Sequence, residues 1–561
     1  MNKVWWKEVV AYQIYPRSFM DSNGDGIGDL QGMISRLDYV KDLGIDVIWI
    51  CPMYKSPNDD NGYDISDYQD IMDEFGTMED FNQLLEEVHR RGMKLIIDLV
   101  VNHTSDEHPW FVESRSSKDN PKRDWYIWRD AKPTNALKST NDPNNWESIF
   151  GGSAWEFDEA TGQYYMHLFS RKQPDLNWEN TEVRGAIYDM INWWLGRGID
   201  GFRVDAITHI KKEPGLKDMP NPKGLTHVPA YPKIMNIPGI MDMISDIDKH
   251  TFSNYPIMTV GEASGVYAHN SHEWVGDELG KFDMIFQFEF KTLWTQDLDL
   301  TLDVKGYKRI LSKWQKALET KGWIALFIEN HDMTRVVSSW GNDKEYRRES
   351  ATAFGAMYFL MRGTPFIYQG QEIGMTNVQY PNIEDYNCVA TKNMYNNRRD
   401  QGMSHEEIMP YVWTNCRDSS RTPMQWDATH NAGFSAGNPW LGMNANYTEI
   451  NVAQQTNDPN SILNFYKKLI ALRKSNALFS YGIYDLILKS HAQIYAYTRT
   501  LDNQVAVIIS NLSATEAAYR YPKLKLSSEH LVLNNYDVEP HQNVSTIRLK
   551  PYETRVYLMN M

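Results

Sequence analysis

Short apolar segments alternate with amphipathic segments along most of this chain, and the alternation restricts the possible folds. Eight runs have the composition of buried strands: 10–15, 46–52, 94–101, 201–204, 257–261, 282–288, 324–328 and 365–368. Helical periodicity lies between many of them, at 33–43, 78–91, 181–195, 307–321 and 348–361. This rhythm predicts βαβ units of the α/β class, and eight units predict a (β/α)8 TIM barrel. An open doubly wound sheet is the alternative, disfavoured because no glycine-rich loop follows the first strand.

Two connections are too long to be ordinary loops, and the end of the chain has a different pattern. Residues 104–173, after the third strand, predict an inserted domain, and a long segment follows the eighth strand at 374–459. Alternating segments near the end predict an antiparallel β-sandwich: 492–500, 504–511 and 546–556. The expected division is a barrel from 1–103 and 174–479, the inserted domain at 104–173, and a C-terminal β domain at 480–561.

The charge and the cysteine content exclude several classes of protein. A net charge of −16 does not supply the basic surface that phosphate binding needs, so nucleic acid is not an expected partner. Three cysteines (Cys51, Cys388 and Cys416) are too few for a disulfide framework and predict a reducing compartment. The sequence shows neither a signal-peptide pattern nor an apolar stretch of membrane-spanning length. We therefore expect a cytoplasmic protein that does not bind a membrane.

Carboxylates follow several of the predicted strands, at the end where barrel enzymes build their active sites. The segments GFRVDAITH, TVGEAS and IENHD supply Asp205, Glu262 and Asp332. Arg203 lies two residues before Asp205 and therefore on the same face of the strand. A cation in that position favours the ionised form of Asp205, which a nucleophile requires.

Two carboxyl groups in different protonation states are what hydrolysis of a glycoside needs, one to attack and one to donate a proton. Helix caps and barrel salt bridges are the alternative interpretation of the same carboxylates. A metal site formed by His103, His209 and His331 is a third, although their spacing matches no compact zinc motif.

The segment DSNGDGIGD at 21–29 places oxygen-bearing residues at every second position between glycines. Such spacing suits a hard cation, and we expect a structural Ca²⁺ there. The match to an EF-hand loop is partial, since no glutamate stands at position 12 and no paired helices flank the loop. An Asx-rich turn without metal is the alternative.

Taken together, the motifs closely resemble glycoside hydrolase family 13, the α-amylase family. The resemblance is carried in order along the chain by AYQIYPRSF, DNGYDISDY, DLVVNHTS, QPDLNW, GFRVDA, VGEAS, ENHD and RTPMQW. Within the family, QPDLNW at 173–178 and the overall layout are similar to the oligo-1,6-glucosidase and α-glucosidase subgroup.

The resemblance implies roles for the matching positions. Asp205 would be the nucleophile, Glu262 the general acid and base, and Asp332 the group that holds the 2- and 3-hydroxyls of glucose. Arg417 would pair with Asp60 and close the end of the pocket. The implied substrate-binding residues are Asp60, Tyr63, His103, Phe169, Gln173, Arg203, Ala206, His209, Ser264, His331 and Arg417, where Phe169 and Gln173 have packing of the inserted domain as an alternative. The implied calcium ligands are Asp21, Asn23, Asp25, Ile27 through its carbonyl, and Asp29.

The implied activity is that of an exo-acting, retaining α-glucosidase that needs no organic cofactor and acts as a monomer on small α-glucosides. In the subgroup, valine after the nucleophile accompanies α-1,6 preference and alanine or threonine α-1,4 preference. Ala206 therefore predicts maltose and short maltooligosaccharides as substrates, with transglucosylation beside hydrolysis. Oligo-1,6-glucosidase, sucrose isomerase and trehalose-6-phosphate hydrolase are the enzymatic alternatives. A non-catalytic binding role, as in transporter subunits with this fold, is disfavoured because all three carboxylates are present.

Overall fold

Eight parallel strands form the central sheet of the computed structural model, which describes residues 4–132, 141–294 and 298–560. In chain order they are β1 (Ala11–Ile14), β2 (Val47–Ile50), β3 (Lys94–Val100), β4 (Gly201–Asp205), β5 (Met258–Glu262), β6 (Met284–Phe286), β7 (Ala325–Leu326) and β8 (Thr364–Tyr368). Hydrogen-bonded neighbours run in the order β6-β5-β4-β3-β2-β1-β8-β7. The Phe286 ring of β6 lies 5.0 Å from the Phe327 ring, just after β7, so the barrel is nearly closed. The predicted fold is thereby confirmed.

The barrel strands are buried on both faces, which explains why they are continuous apolar runs instead of alternating ones. All four residues of β2 are buried. The Trp49 ring of β2 crosses the interior and lies 5.6 Å from Phe286 and 6.2 Å from Phe366 on β8. The barrel centre is therefore a packed core, and polar groups gather at its carboxyl end.

Helices cover the outside of the barrel after each strand: Leu30–Ser35 with Leu37–Leu43, then Met78–Arg90, Thr181–Gly196, Ile240–His250, His272–Val275, Val304–Leu318, Arg347–Phe359 and Ile462–Ser475. The helix Met78–Arg90 begins with a capping box between Thr77 and Asp80, which satisfies its first N–H groups. The helix predicted at 33–43 is instead two helices, separated at Arg36, whose φ of −111° leaves the helical region. No helix among the described residues is both long and apolar enough to cross a membrane.

The segment after β3 folds beside the mouth of the barrel; its residues 133–140 lie outside the described part. It contains the helix Pro109–Ser116 and an antiparallel sheet of Trp128–Arg129, Gln163–Met166 and Trp155–Asp158. A bridge between His103 and Asp175 ties its two ends together. Lys212, after β4, forms a buried ion pair with Asp175 at 2.6 Å. This anchoring brings Phe169 and Gln173 to the carboxyl end of the barrel.

The segment after β8 is helical where the sequence predicts only a long connection. It contains Val389–Asp400, His405–Asn415, Asp418–Arg421 and Val452–Thr456. Farther on, Ile483–Ile487, Ile494–Leu501, Gln504–Asn511, Thr554–Asn560 and Leu531–Asn534 form one antiparallel sheet, and Ala517–Arg520 pairs with Thr546–Leu549 in a second. The prediction of one continuous strand at 546–556 is wrong. A turn that contains Tyr552, at φ +51°, divides this segment between the two sheets.

Candidate active site

A cavity of about 530 Å³ opens at the carboxyl ends of the barrel strands. Twelve of the residues that the sequence singles out line it: Asp60, Tyr63, His103, Phe169, Gln173, Asp205, Ala206, His209, Glu262, Ser264, Asp332 and Arg417. Arg203 and His331 lie behind this surface, with exposures of 1% and 0%. Their role here is to hold the carboxylates, since neither lines the cavity.

Arg203 joins three carboxylates at the base of the cavity. Its Nη1 lies 2.8 Å from Asp205 Oδ1 and 2.9 Å from Asp98 Oδ1, and its Nη2 lies 2.8 Å from Glu262 Oε2. Because β3, β4 and β5 are hydrogen-bonded neighbours, their carboxyl ends place these side chains together. One guanidinium therefore compensates only part of a buried negative cluster.

Asp205 and Glu262 titrate as a pair in this cluster. Burial and repulsion by Glu262 raise the pKa of Asp205. Burial also disfavours the charge on Glu262, but Arg203 and the Ala206 N–H outweigh it and lower the pKa of Glu262. Opposite shifts in two neighbouring carboxyls mean that they titrate as one coupled unit, and the directions favour the proton on Asp205 over Glu262. A retaining glycosidase carries its proton on the general acid, so hydrolysis by this pair would require the proton to pass from Asp205 to Glu262 before attack.

The backbone of Ala206 orients this pair. Its φ of +43° lies in the left-handed region, which is uncommon for residues other than glycine. The turn ends β4 and points the Ala206 N–H at Glu262 Oε2, 3.0 Å away. The methyl group then lies on the cavity wall beside the two carboxyls.

Asp332, which also lines the cavity, is held as a carboxylate. Its Oδ2 lies 3.2 Å from His331 Nε2, and its Oδ1 accepts hydrogen bonds from Arg417 at 2.8 Å and Arg421 at 2.9 Å. Burial raises the pKa of Asp332, but the charges of His331 and Arg417 outweigh this effect and hold the pKa well below its usual range. A carboxylate fixed in this way accepts hydrogen bonds from sugar hydroxyls.

Tyr63 lies beneath the cavity and is fixed by the same network. Its hydroxyl is 2.7 Å from His331 Nε2 and donates to Asp98 Oδ2 at 3.1 Å. The Tyr63 and His331 rings are parallel within 5°, with centroids 5.3 Å apart. These contacts keep the aromatic face of Tyr63 in place on the cavity wall, where the apolar face of a pyranose can pack.

Arg417 and Asp60 close one end of the cavity. The two side chains are 3.4 Å apart, and Arg417 also lies over the Phe150 ring at 5.1 Å. Burial raises the pKa of Asp60 to about 7, against the lowering effect of Arg417. Gln173 donates to Asp60 Oδ2 at 3.2 Å. These contacts hold Asp60, Gln173 and Arg417 together in one part of the cavity wall.

Two histidines form another wall and are held neutral. Burial lowers the pKa of His103 to about 4, and that of His209 is also lowered by burial. His209 Nδ1 is fixed by the Ile234 carbonyl at 2.9 Å. The Phe169 ring lies between the two, 5.1 Å from His103 and 5.9 Å from His209. Among the described residues, neither histidine belongs to a group of three or more side chains that could bind a metal ion.

Sequence reasoning missed several residues of the site. Arg421 donates a hydrogen bond to Asp332, as Arg417 does. The sequence could have indicated this, because Arg421 is the arginine of RTPMQW and lies one helical turn after Arg417. Phe150 lies in the inserted segment, where no motif marks it. Lys291 and Arg398 also line the cavity near its mouth.

The loop at 21–29 has the predicted oxygen donors, and several of them accept backbone N–H groups of the loop itself. Asp21 Oδ1 accepts the N–H groups of Asn23 and Gly24, and Asp25 Oδ1 accepts that of Ile27. Asp29 caps the following helix through Gly32. The carboxylates of Asp21, Asp25 and Asp29 do not converge within 4.8 Å. Calcium at this loop therefore stays a prediction, and the Asx-rich turn alone accounts for the contacts described here.

Chelation tests the calcium prediction. If the loop binds Ca²⁺ in solution, a chelator is expected to lower the melting temperature by roughly 3 °C, because a ligand that binds only the folded state stabilises it. Asp25→Ala is the matched control, since Asp25 is exposed and contacts only the loop backbone. This variant should melt at the same temperature with and without the chelator. Equal melting temperatures for the wild type under both conditions would contradict the calcium site.

Comparison with known proteins extends the match of fold and site. Residues 13–482 match the model of the α-amylase catalytic domain. The chain is 59% identical over 558 residues to "Probable oligo-1,6-glucosidase 3" of Bacillus subtilis (strain 168), with 100% of both chains covered. It is 51% identical over 572 residues to the oligo-1,6-glucosidase of Parageobacillus thermoglucosidasius, again over 100% of both. A crystal structure of Bacillus licheniformis trehalose-6-phosphate hydrolase superposes with a TM-score of 0.93 at 41% identity, covering 100% of both chains.

These matches confirm the resemblance seen in the motifs. The family model spans most of the chain, and the relatives match it from end to end. The chain belongs to the α-amylase family of glycoside hydrolases, glycoside hydrolase family 13.

Proposed function

We propose that the protein is an exo-acting, retaining α-glucosidase that releases glucose from the non-reducing end of short α-glucosides. The observation that carries this proposal is the shape of one cavity: the Asp205–Glu262 pair lies at its base, and the Arg417–Asp60 contact closes its end. The pair shares Arg203, which lies within 2.8 Å of both carboxyls. The described residues thus combine a cavity of about 530 Å³, large enough for a short saccharide, with two carboxyls that titrate as a pair.

The reaction follows from the two carboxyls. Asp205 attacks the anomeric carbon while Glu262 protonates the glycosidic oxygen, so that the aglycone leaves and glucose is bound as a β-glucosyl ester. Glu262, now ionised, takes a proton from water, which attacks the same carbon and releases α-glucose. Arg203 stabilises the Asp205 carboxylate, and Asp332 holds the sugar hydroxyls. A sugar hydroxyl in place of water gives transglucosylation.

The bond that is cleaved is the finer part of the proposal. Two of the relatives are named oligo-1,6-glucosidase. Their names support α-1,6-linked substrates of the isomaltose type, which we take as the first candidate. The expectation of maltose as the preferred substrate is not confirmed by them. Maltose remains the second candidate because Ala206, the small residue typical of α-1,4 enzymes in the subgroup, lines the cavity beside Glu262.

A substrate panel with an Ala206→Val variant separates the two candidates. We expect the wild type to release α-glucose first from one of maltose and isomaltose, as followed by anomer-resolved NMR. The larger valine side chain narrows the space beside the aglycone, which should disfavour maltose relative to isomaltose. The ratio of kcat/KM for isomaltose to that for maltose should therefore rise about 10-fold, the usual effect of one or two methyl groups in a pocket.

The remaining outcomes of the panel are equally informative. Release of β-glucose would contradict the retaining mechanism, and an unchanged ratio in Ala206→Val would contradict the role of Ala206. Trehalose 6-phosphate and sucrose belong in the same panel, because turnover of either alone would replace both candidates. A melting curve of Ala206→Val controls for strain, since a β-branched residue at positive φ is unfavourable. The cytoplasmic location and the monomeric state stay predictions.

A further inference from the structure

Two of the three cysteines lie side by side next to the active-site cavity. Cys388 immediately precedes the helix Val389–Asp400, and Cys416 immediately follows the helix His405–Asn415. The two helices pack against each other, so the thiols meet at adjacent ends of the pair. Their Sγ atoms and one carboxylate oxygen of Asp418 all lie within 4.8 Å of one another, and the three residues are buried.

The surroundings of the two thiols differ: the hydrogen bond with Cys416 and the charge of Arg417 lower the pKa of Cys388, whereas burial and the neighbouring Cys388 raise the pKa of Cys416. Arg417 Nε donates to Cys388 Sγ at 3.3 Å, while the Thr391 hydroxyl and the Asp418 N–H donate to Cys416 Sγ at 3.2 and 3.4 Å. Cys388 also occupies the N-terminal cap of a twelve-residue helix. A neighbouring arginine and a helix N-terminus both stabilise a thiolate, which is the form of cysteine that binds metals.

Asp418 contributes an oxygen that the protein itself leaves unused. Its Oδ2 accepts the N–H groups of Asn387 and Cys388 at 2.7 and 2.9 Å. Its Oδ1 is buried and has no hydrogen-bond partner among the described residues, and the residue as a whole is 0% exposed. A buried carboxylate oxygen without a partner is unfavourable, and a bound cation would satisfy it.

We propose that Cys388, Cys416 and Asp418 form a binding site for a thiophilic divalent cation such as Zn²⁺, reached through the active-site cavity. Cys388 is part of the cavity wall, which supplies the path. Zinc prefers four ligands at tetrahedral positions, with Zn–S distances of about 2.3 Å. Binding releases the thiol protons to solvent, and the resulting two thiolates and one carboxylate leave the fourth position to water. Together their three negative charges outweigh the two charges of the ion.

Occupation of this site would alter the active site through Arg417. That side chain now donates to Cys388 Sγ and contacts both Asp332 and Asp60. A thiolate that ligates zinc is a weaker hydrogen-bond acceptor, and the added dication repels the guanidinium. Since Arg417 closes the pocket, zinc is expected to act as a reversible inhibitor of glucose release.

The inhibition test uses the full chain kept reduced with a phosphine. Zinc should inhibit the wild type, and a chelator should restore its activity. Cys416→Ser, outside the cavity lining, should retain turnover without metal and raise the half-inhibitory zinc concentration at least ~10-fold. Cys51→Ser is the matched thiol control, because Cys51 follows β2 and does not belong to this group of metal-ligating side chains, so its half-inhibitory zinc concentration should equal that of the wild type. Equal inhibition of all three proteins would overturn the proposal.

A spectroscopic measurement tests the site without reference to catalysis. Co²⁺ bound to thiolates gives a ligand-to-metal charge-transfer band in the near ultraviolet, which we expect with the wild type and Cys51→Ser but not with Cys416→Ser. Absence of the band in the reduced wild type would overturn the metal site even if the protein is an active glucosidase. Conversely, the band would establish the site even if the proposed substrates proved wrong.

Discussion

Asp205→Asn is expected to lower kcat by at least about 10⁴-fold on every substrate, since removal of a catalytic nucleophile costs on this scale or more. Asparagine keeps the size of the side chain and its oxygen can still accept from Arg203, which now lies 2.8 Å from Asp205 Oδ1. An amide oxygen does not displace the aglycone at a useful rate. Folding should be little affected, because the substitution removes one charge from a buried carboxylate cluster that has a single arginine at its centre.

The control for this prediction is Glu262→Gln. On an aryl glucoside whose leaving group needs no protonation, loss of the acid should leave formation of the glucosyl ester fast and slow only its hydrolysis, so a burst of released phenol is expected. Asp205→Asn should show no burst. Azide should restore turnover of Asp205→Gly and give a glucosyl azide of inverted configuration, because azide attacks from the face that the carboxylate has vacated. Near wild-type kcat in Asp205→Asn would contradict the assignment.

The positions of these carboxyls could be predicted from the sequence, because they depend on the local geometry of strands and of strand–helix units. Arg203 and Asp205 share a strand face by the two-residue period, and the structure places them 2.8 Å apart. Eight strand and helix units imply that β4 and β5 end at the same edge, so Asp205 and Glu262 meet. The burial of all four residues in β2 likewise follows from its composition.

Contacts between remote segments could not be predicted in the same way. The sequence led us to expect Arg417 to pair with Asp60, whereas its shorter contact is with Asp332, at 2.8 Å against 3.4 Å. The cysteine count indicated only a reducing compartment, and the meeting of Cys388 with Cys416 depends on how two helices pack. These features depend on the packing of long connections, for which periodicity carries no information.

Ala206 illustrates a local feature that also escaped prediction. Its φ of +43° carries no sequence signal, because glycine and asparagine are the residues that normally mark left-handed backbone. The conformation is retained where the N–H of Ala206 reaches Glu262. Uncommon backbone of this kind is a property of active sites, where surrounding structure over-determines it.

Arg417→Ala is the substitution with the second-largest expected effect. Removal of the guanidinium leaves Asp60 without its positive partner and removes one of the two arginine donors to Asp332. Truncation of one partner in a buried charge pair costs about 3 kcal/mol, so kcat/KM for disaccharides should fall about 100-fold. Arg417→Lys keeps the charge but cannot span two carboxylates as the planar guanidinium does, and it should recover only part of the loss.

The pH dependence distinguishes a role at Asp60 from a general loss of structure. Burial raises the pKa of Asp60 to about 7 even with Arg417 present, so kcat/KM of the wild type should fall as the pH drops below about 7 and Asp60 gains a proton. Loss of Arg417 removes an influence that lowers this pKa, and the acidic limb of Arg417→Ala should therefore move to higher pH. Arg417→Lys should leave the limb near its wild-type position, and Asp60→Asn should remove the contribution of Asp60 and leave that of Asp205. An acidic limb that stays in place in Arg417→Ala, together with an unchanged melting temperature, would show that Arg417 does not control the ionisation of Asp60. The closed end of the pocket would then depend on the bulk of the guanidinium, held over Phe150, and not on its charge.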